Sequence, residues 1–176
     1  MSMTQVAFLR KAEIPTNKHI QEHIQSLGYD FKILDNPDER INEDGLGCSI
    51  NGYDTFFETY IGPASEISDE ADWVKTELSD QDTAISFIWG SDAAAGACIG
   101  LICIALIDHC NALSYYMDEQ MRYTREMLVA DTPQFLEALQ KKIMRDEMMQ
   151  KANSANQKTG PKTRKGLGDI LRNLFR

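Results

Sequence analysis

Two short stretches of this sequence hold residues of the kinds that do chemistry. In "HIQEH", His19, Glu22 and His23 have the spacing of the inverted zinc-protease signature, in which two histidines one helical turn apart hold a metal and the glutamate activates a water. In "SDAAAGACIGLICIALIDHC" (Ser91 to Cys110), Cys98, Cys103 and Cys110 stand close together and His109 sits beside Cys110. Neither stretch completes a site. Ile20, Ile24 and Leu27 mark the buried side of the first helix, which puts His19 and His23 on a solvated flank; a glutamate could be a third ligand, but no downstream segment shows a recognisable ligand pattern. The CxxC spacing of zinc and redox sites is absent, Cys103 and Cys110 are too far apart along a helix to clasp one ion, and neighbours such as His109 and Cys110 point apart. Both "GLG" triplets, at Gly45 and Gly166, lack the strand-loop-helix setting of a phosphate loop, and no serine sits in a nucleophile elbow. A non-enzymatic protein with no metal and no cofactor is expected, with structural thiols at Cys48, Cys98, Cys103 and Cys110.

The elements that must position these residues read as a sandwich of sheet and helices. The uncharged run Ala93 to Ile107 is 15 residues, short for a bilayer span, and Asp92 and Asp108 close it. Ser91 and Asp92 are helix N-caps and Asn111 is the stop, so the segment is expected to be a buried helix, apolar on nearly all sides. "TAISFIW" (Thr83 to Trp89) precedes it as a strand; "ALSYY" (Ala112 to Tyr116) and "MRYT" (Met121 to Thr124) follow as two strands across a turn at Asp118-Glu119. The N-terminal part has the same order: a strand at Val6 to Arg10, a helix from Thr16 to Leu27 stopped by Gly28, then strands at Asp30 to Leu34 and Gly47 to Ile50. This suggests two β-α-β-β halves, with a strand from Tyr53 to Gly62-Pro63 between them. A third helix is expected with Pro133 near its first turn and Phe135, Leu136, Leu139, Ile143 and Met144 at helical spacing. The fold class is α+β: a mostly antiparallel sheet with helices packed on one face. The domain is expected over 1–150. A basic linker then runs from Lys151 to Gly166, and a short amphipathic helix within 151–176 carries Leu167, Ile170, Leu171, Leu174 and Phe175, so that the tail could dock on the body or a partner.

Charge narrows the partner. Residues 1–150 hold 26 acids against 11 bases, whereas 151–176 hold one against seven, so an acidic body carries a basic tail. The first residues, "MSMTQVAFLRKAEIPTNK", do not read as a secretory signal, which points to the cytoplasm and to reduced cysteines. From Asp35 to Asp82 there are 14 acids and only Arg40 and Lys75 as bases. These acids are interleaved with Tyr53, Phe56, Phe57, Tyr60 and Trp73, and aromatic anchors inside a charged rim are what tight interfaces use. The expected partner-binding set is Tyr53, Asp54, Phe57, Glu58, Tyr60, Glu66, Asp69, Glu70, Asp72 and Trp73. Nucleic acid would be repelled by this surface; a basic protein would be attracted and steered.

The segment "AISFIWGSDAAAGACIGLICIALIDHCNALSYY", with the acidic strand-loop region from Tyr53 to Asp82, resembles the cytoplasmic immunity proteins that bacteria pair with antibacterial toxins, in particular those guarding against type VI-secreted nuclease effectors. The likeness spans about half of the chain, and the basic tail departs from the compact acidic form of those proteins. The resemblance implies stoichiometric inhibition: the acidic face docks on a basic, nucleic-acid-binding surface of the toxin and occludes its active site. Two alternatives stand beside it. One is a metal-dependent hydrolase using His19, Glu22 and His23; the other is a regulatory adaptor whose tail helix docks on a protein or an anionic membrane.

Overall fold

A computed structural model describes residues 2–158 of the chain. The strands are β1 (Met3–Leu9), β2 (Phe31–Ile33), β3 (Leu46–Ile50), β4 (Tyr53–Pro63), β5 (Thr83–Trp89), β6 (Leu113–Tyr116) and β7 (Met121–Arg122). They form one sheet in the order β2-β3-β4-β5-β1-β6-β7, and every neighbouring pair is antiparallel. The helices are α1 (Asn17–Ser26), α2 (Ala64–Ser68), α3 (Asp72–Lys75), α4 (Ala93–Cys110) and α5 (Arg125–Lys158). The α+β class is as expected from the sequence. The β-α-β-β order does occur twice along the chain, yet the halves interleave in space. β1 lies between β5 and β6, so those two strands run parallel to each other with α4 as their crossover.

Local chemistry accounts for the ends of the main elements. Thr16 caps α1 by accepting from the His19 backbone N–H, and Gly28, at φ +97°, lets the chain leave it. Asp92 caps α4 through the Ala94 N–H, and Asn111 ends it in the left-handed conformation at φ 51°. β3 and β4 meet across Asn51-Gly52, both at positive φ, with Ile50 opposite Tyr53: a two-residue hairpin whose twist suits the strands.

The core has two layers. α4 lies against the sheet with Ile99, Ile102 and Leu106 buried, and α1 packs beside it through Ile20 and Ile24. By length and hydropathy α4 could cross a bilayer, and 72% of it is buried inside the protein. The opposite face of the sheet is not bare. Val6, Phe8, Ala84 and Tyr115, alternating with the residues that face α4, pack against Ala64, Ala71 and Val74 of the α2–α3 segment. Two short helices therefore cover the β5-β1-β6 part of the face that was expected to be free of helices. This is why β5 is buried on both sides rather than on alternate residues.

α5 begins at Arg125, eight residues before Pro133, where the sequence places the first turn. Thr124 is its cap, accepting from the Met127 N–H at 3.3 Å, and Pro133 stands inside the helix. The missing proline N–H leaves the Val129 carbonyl without its helical partner, while Thr132 donates its hydroxyl to the Leu128 carbonyl at 2.8 Å. Lys151, the expected start of a linker, is helical, and α5 runs on to Lys158. The chain divides within this helix into two compact units, Met1–Leu139 and Gln140–Arg176. The first unit holds the sheet and its helical layers. The described part of the second exposes Met144, Met148 and Met149. The tail helix expected at Leu167 to Phe175 lies outside the described residues.

Candidate interaction surface

β4 is where aromatic and acidic residues alternate most densely, and strand alternation decides which of them meet solvent. Phe57 and Thr59 point to the α4 side and are buried; Asp54, Phe56, Glu58 and Tyr60 point to the other. Phe57, expected as a partner anchor, is 2% exposed and packs edge-on against Phe87 at 6.1 Å, so it belongs to the core. Its neighbour Phe56 takes the surface position at 62% exposed, and Tyr60 follows at 51%. Leu34, also exposed, lies beside Gly47 on the same face, across from Phe56. Gly45, at φ +133°, has no room for a Cβ beneath the Phe56 ring, which therefore rests on glycine backbone. The α2–α3 segment covers only the β5-β1-β6 half of this face, and the β2-β3-β4 half is open.

Carboxylates surround the open half. Tyr60 donates its hydroxyl to Glu66 at 2.8 Å, which carries the acidic surface of α2 up to β4; the bond and the charge of Glu66 raise the Tyr60 pKa. Asp54, Glu58, Glu66, Glu70 and Asp72 are exposed. Asp69 is exposed too but is paired with Lys75 at 2.9 Å, which neutralises part of the segment. Lys32, on the short edge strand β2, is a basic side chain on the same face. Trp73 does not stand on this surface as a free anchor. Half-buried, it packs on Tyr115 at 5.5 Å and joins the cluster that holds α3 to the sheet. Tyr53 is half-buried at the hairpin. The structure thus brings Asp54, Glu58, Tyr60 and Glu66 together, adds Phe56 and Leu34, and moves Phe57 and Trp73 into packing roles.

The histidine motif resolves differently from a solvated flank. His19 and Glu22 are exposed, with Glu22 near Lys18 at 3.9 Å, but His23 turns inward and meets Asp108 of α4 at 2.9 Å. Asp108 also receives a two-pronged contact from Arg125, at 2.6 and 2.9 Å, and these bonds hold its carboxyl below the usual range. The corner therefore joins α1, α4 and α5. His109 stacks edge-on with His23 at 4.6 Å. Among the described residues no group of three or more His, Cys, Asp and Glu side chains is arranged to hold a metal ion. All four cysteines are buried and free. Burial pushes the Cys103 thiol up to about 12 and the Cys110 thiol up to about 11, so neither is a thiolate at neutral pH.

His109, at the rim of this corner, is expected to add acid sensitivity to the fold. Burial, and then the neighbouring His23, hold the His109 pKa below its ordinary 6.5, with Asp108 opposing and His19 adding to the effect. The folded state therefore prefers neutral His109. Its contribution is complete above about pH 6.5 and is lost as pH falls through the lowered folded value. His109→Gln is expected to flatten the fall in melting temperature between pH 7 and pH 5. Parallel slopes for variant and parent in a pH series of thermal melts would remove His109 as the cause.

Comparison with known proteins returned no matching family model, no matching curated protein and no matching solved structure.

Proposed function

We propose that this protein binds and neutralises a basic, nucleic-acid-binding toxin, by laying the open β2-β3-β4 face and the acidic α2–α3 segment over the toxin's active surface. The reading is carried by one observation: Phe56 and Tyr60 share one face of β4 on either side of Glu58, both more than half exposed, with the carboxylates of Asp54 and Glu66 beyond them. An exposed phenylalanine on an uncovered sheet face is costly for a protein that meets only water, and it is the type of residue that becomes an anchor when a partner desolvates it. The carboxylates would steer a cationic surface into register and repel nucleic acid, which makes them competitors for the toxin's own substrate site. Inhibition of this kind needs no turnover and no cofactor.

The test is capture by the full chain, immobilised, from a lysate of its native host, with Asp54→Lys/Glu58→Lys/Glu66→Lys as the control. The expected result is a basic protein retained by the parent and lost from the variant, whose toxicity in cells the parent relieves and the variant does not. Equal capture by both, or a captured partner that is not basic, would overturn the reading.

A further inference from the structure

On the α4 side of the sheet, away from the open face, the first compact unit contains a cavity of about 200 Å³. At roughly 30 Å³ per water this is on the order of six waters, space enough for a small organic molecule. Gly96 and Gly100 of α4 form part of its wall. A Cβ on Gly96 would stand 2.5 Å from the Phe135 ring, so α5 approaches the glycines closely and the room lies beside the crossing. Trp89, Tyr116 and Tyr123 line the cavity in a connected series: Trp89 to Tyr116 at 6.2 Å and 47°, Tyr116 to Tyr123 at 6.1 Å and 60°. The Trp89 side chain is 8% exposed and its Nε1 has no hydrogen-bond partner, so the indole is placed there by its ring and not by its N–H.

The charged residues of the wall carry one sign. Asp131 and Glu119 line the cavity, and among the described residues no lysine, arginine or histidine does. Asp131 accepts a hydrogen bond from the Tyr123 hydroxyl, which fixes that ring, and the exposed Glu119 marks the solvent side. Burial raises the pKa of both tyrosines, and the carboxylates raise it further. Burial disfavours charge of either sign, and the carboxylates' part of the effect is what favours a cation. Aromatic faces attract a positive charge within about 6 Å, tryptophan most strongly, and the effect grows where water is excluded. A cavity of this size with several electron-rich rings and two carboxylates matches one ligand class.

We propose that this cavity binds a small organic ammonium ion, seated against Trp89, Tyr116 and Tyr123 and balanced by Asp131 and Glu119. Both a quaternary ammonium and a protonated primary amine carry the required charge. The rings favour the first, whose charge is spread over methyl groups that give up their water easily.

The experiment titrates the full chain in a Trp73→Phe background, so that Trp89 is the fluorescent reporter. The probes are choline, its neutral isostere 3,3-dimethylbutan-1-ol, and ethanolamine. Saturable quenching by choline is expected, with the neutral isostere binding at least about tenfold more weakly, since it fills the same space without the charge. Tyr116→Leu should weaken choline by about tenfold, and Glu119→Gln, an exposed change that leaves the core untouched, by about threefold. Equal binding of choline and the isostere would overturn the proposal and leave an apolar void. Failure of choline to saturate at tens of millimolar would overturn it as well. Ethanolamine binding as tightly as choline, with no loss in Tyr116→Leu, would overturn the aromatic seat and leave only a diffuse acidic attraction.

Discussion

Ile102→Asp is expected to yield no soluble, cooperatively melting protein. Ile102 is fully buried in the middle of α4, where the helix is enclosed by the sheet on one side and α1 on another. An unpaired carboxylate there costs several kcal/mol after relaxation, against a total stability on the order of 5–15 kcal/mol for a domain. No basic group stands on the neighbouring turns of α4, from Cys98 to Leu106, to compensate it. Ile102→Ala, which removes volume without adding charge, should fold and lose about 2–5 kcal/mol. Soluble yield and thermal melts of the two variants separate the charge penalty from the cavity penalty. If Ile102→Asp melts like the parent, α4 is not the enclosed helix described here.

The second large effect divides residues that look alike in the sequence. Phe56→Ala or Tyr60→Ala should each speed release of a bound basic partner by about 30-fold, equivalent to about 2 kcal/mol, while moving the melting temperature by only a few degrees. Trp73→Ala should do the reverse. It empties the space against Tyr115 and Val74 and costs stability on the order of 3 kcal/mol, with little change in release among molecules that remain folded. Reversing Glu58 and Glu66 acts before contact: association slows and its salt dependence weakens, because charge on the rim is screened over about 8 Å. Dissociation kinetics beside thermal melts decide the matter. A Trp73→Ala protein that melts normally but releases its partner quickly would make Trp73 the anchor after all.

How far the sequence could be read depended on the range of the interaction that shapes each element. α4 was legible at both ends, because Asp92 and Asn111 act on backbone groups within a turn of themselves. β5 matched its expected limits for a similar reason. The start of α5 was obscured by Pro133, which resembles a first-turn residue, although the cap is the less conspicuous Thr124. The choice between Phe56 and Phe57 turned on the parity of one strand, and the Asn51-Gly52 hairpin is the local signal that sets it. The His23–Asp108 contact joins positions 85 residues apart and has no local signature. The cavity was equally hidden, since its wall is assembled from β1, β5, α4, α5 and the β6–β7 region, which meet only in the fold.

The position of β1 has a consequence for how the chain is made. Residues 3–9 leave the ribosome well ahead of both of their neighbours in the sheet, β5 and β6, which end at Trp89 and Tyr116. At about 5–20 residues per second, the strand "MTQVAFL" waits on the order of ten seconds for its second neighbour. Until β5 is made, this β-prone, uncharged segment has both hydrogen-bonding edges unpaired, and until β6 is made it has one, which is the kind of segment that associates with other nascent chains. A nascent chain stopped before Leu113 could close β1 against β5 but would leave its other edge open. The sheet can therefore be completed around β1 only late in synthesis, once β6 is available.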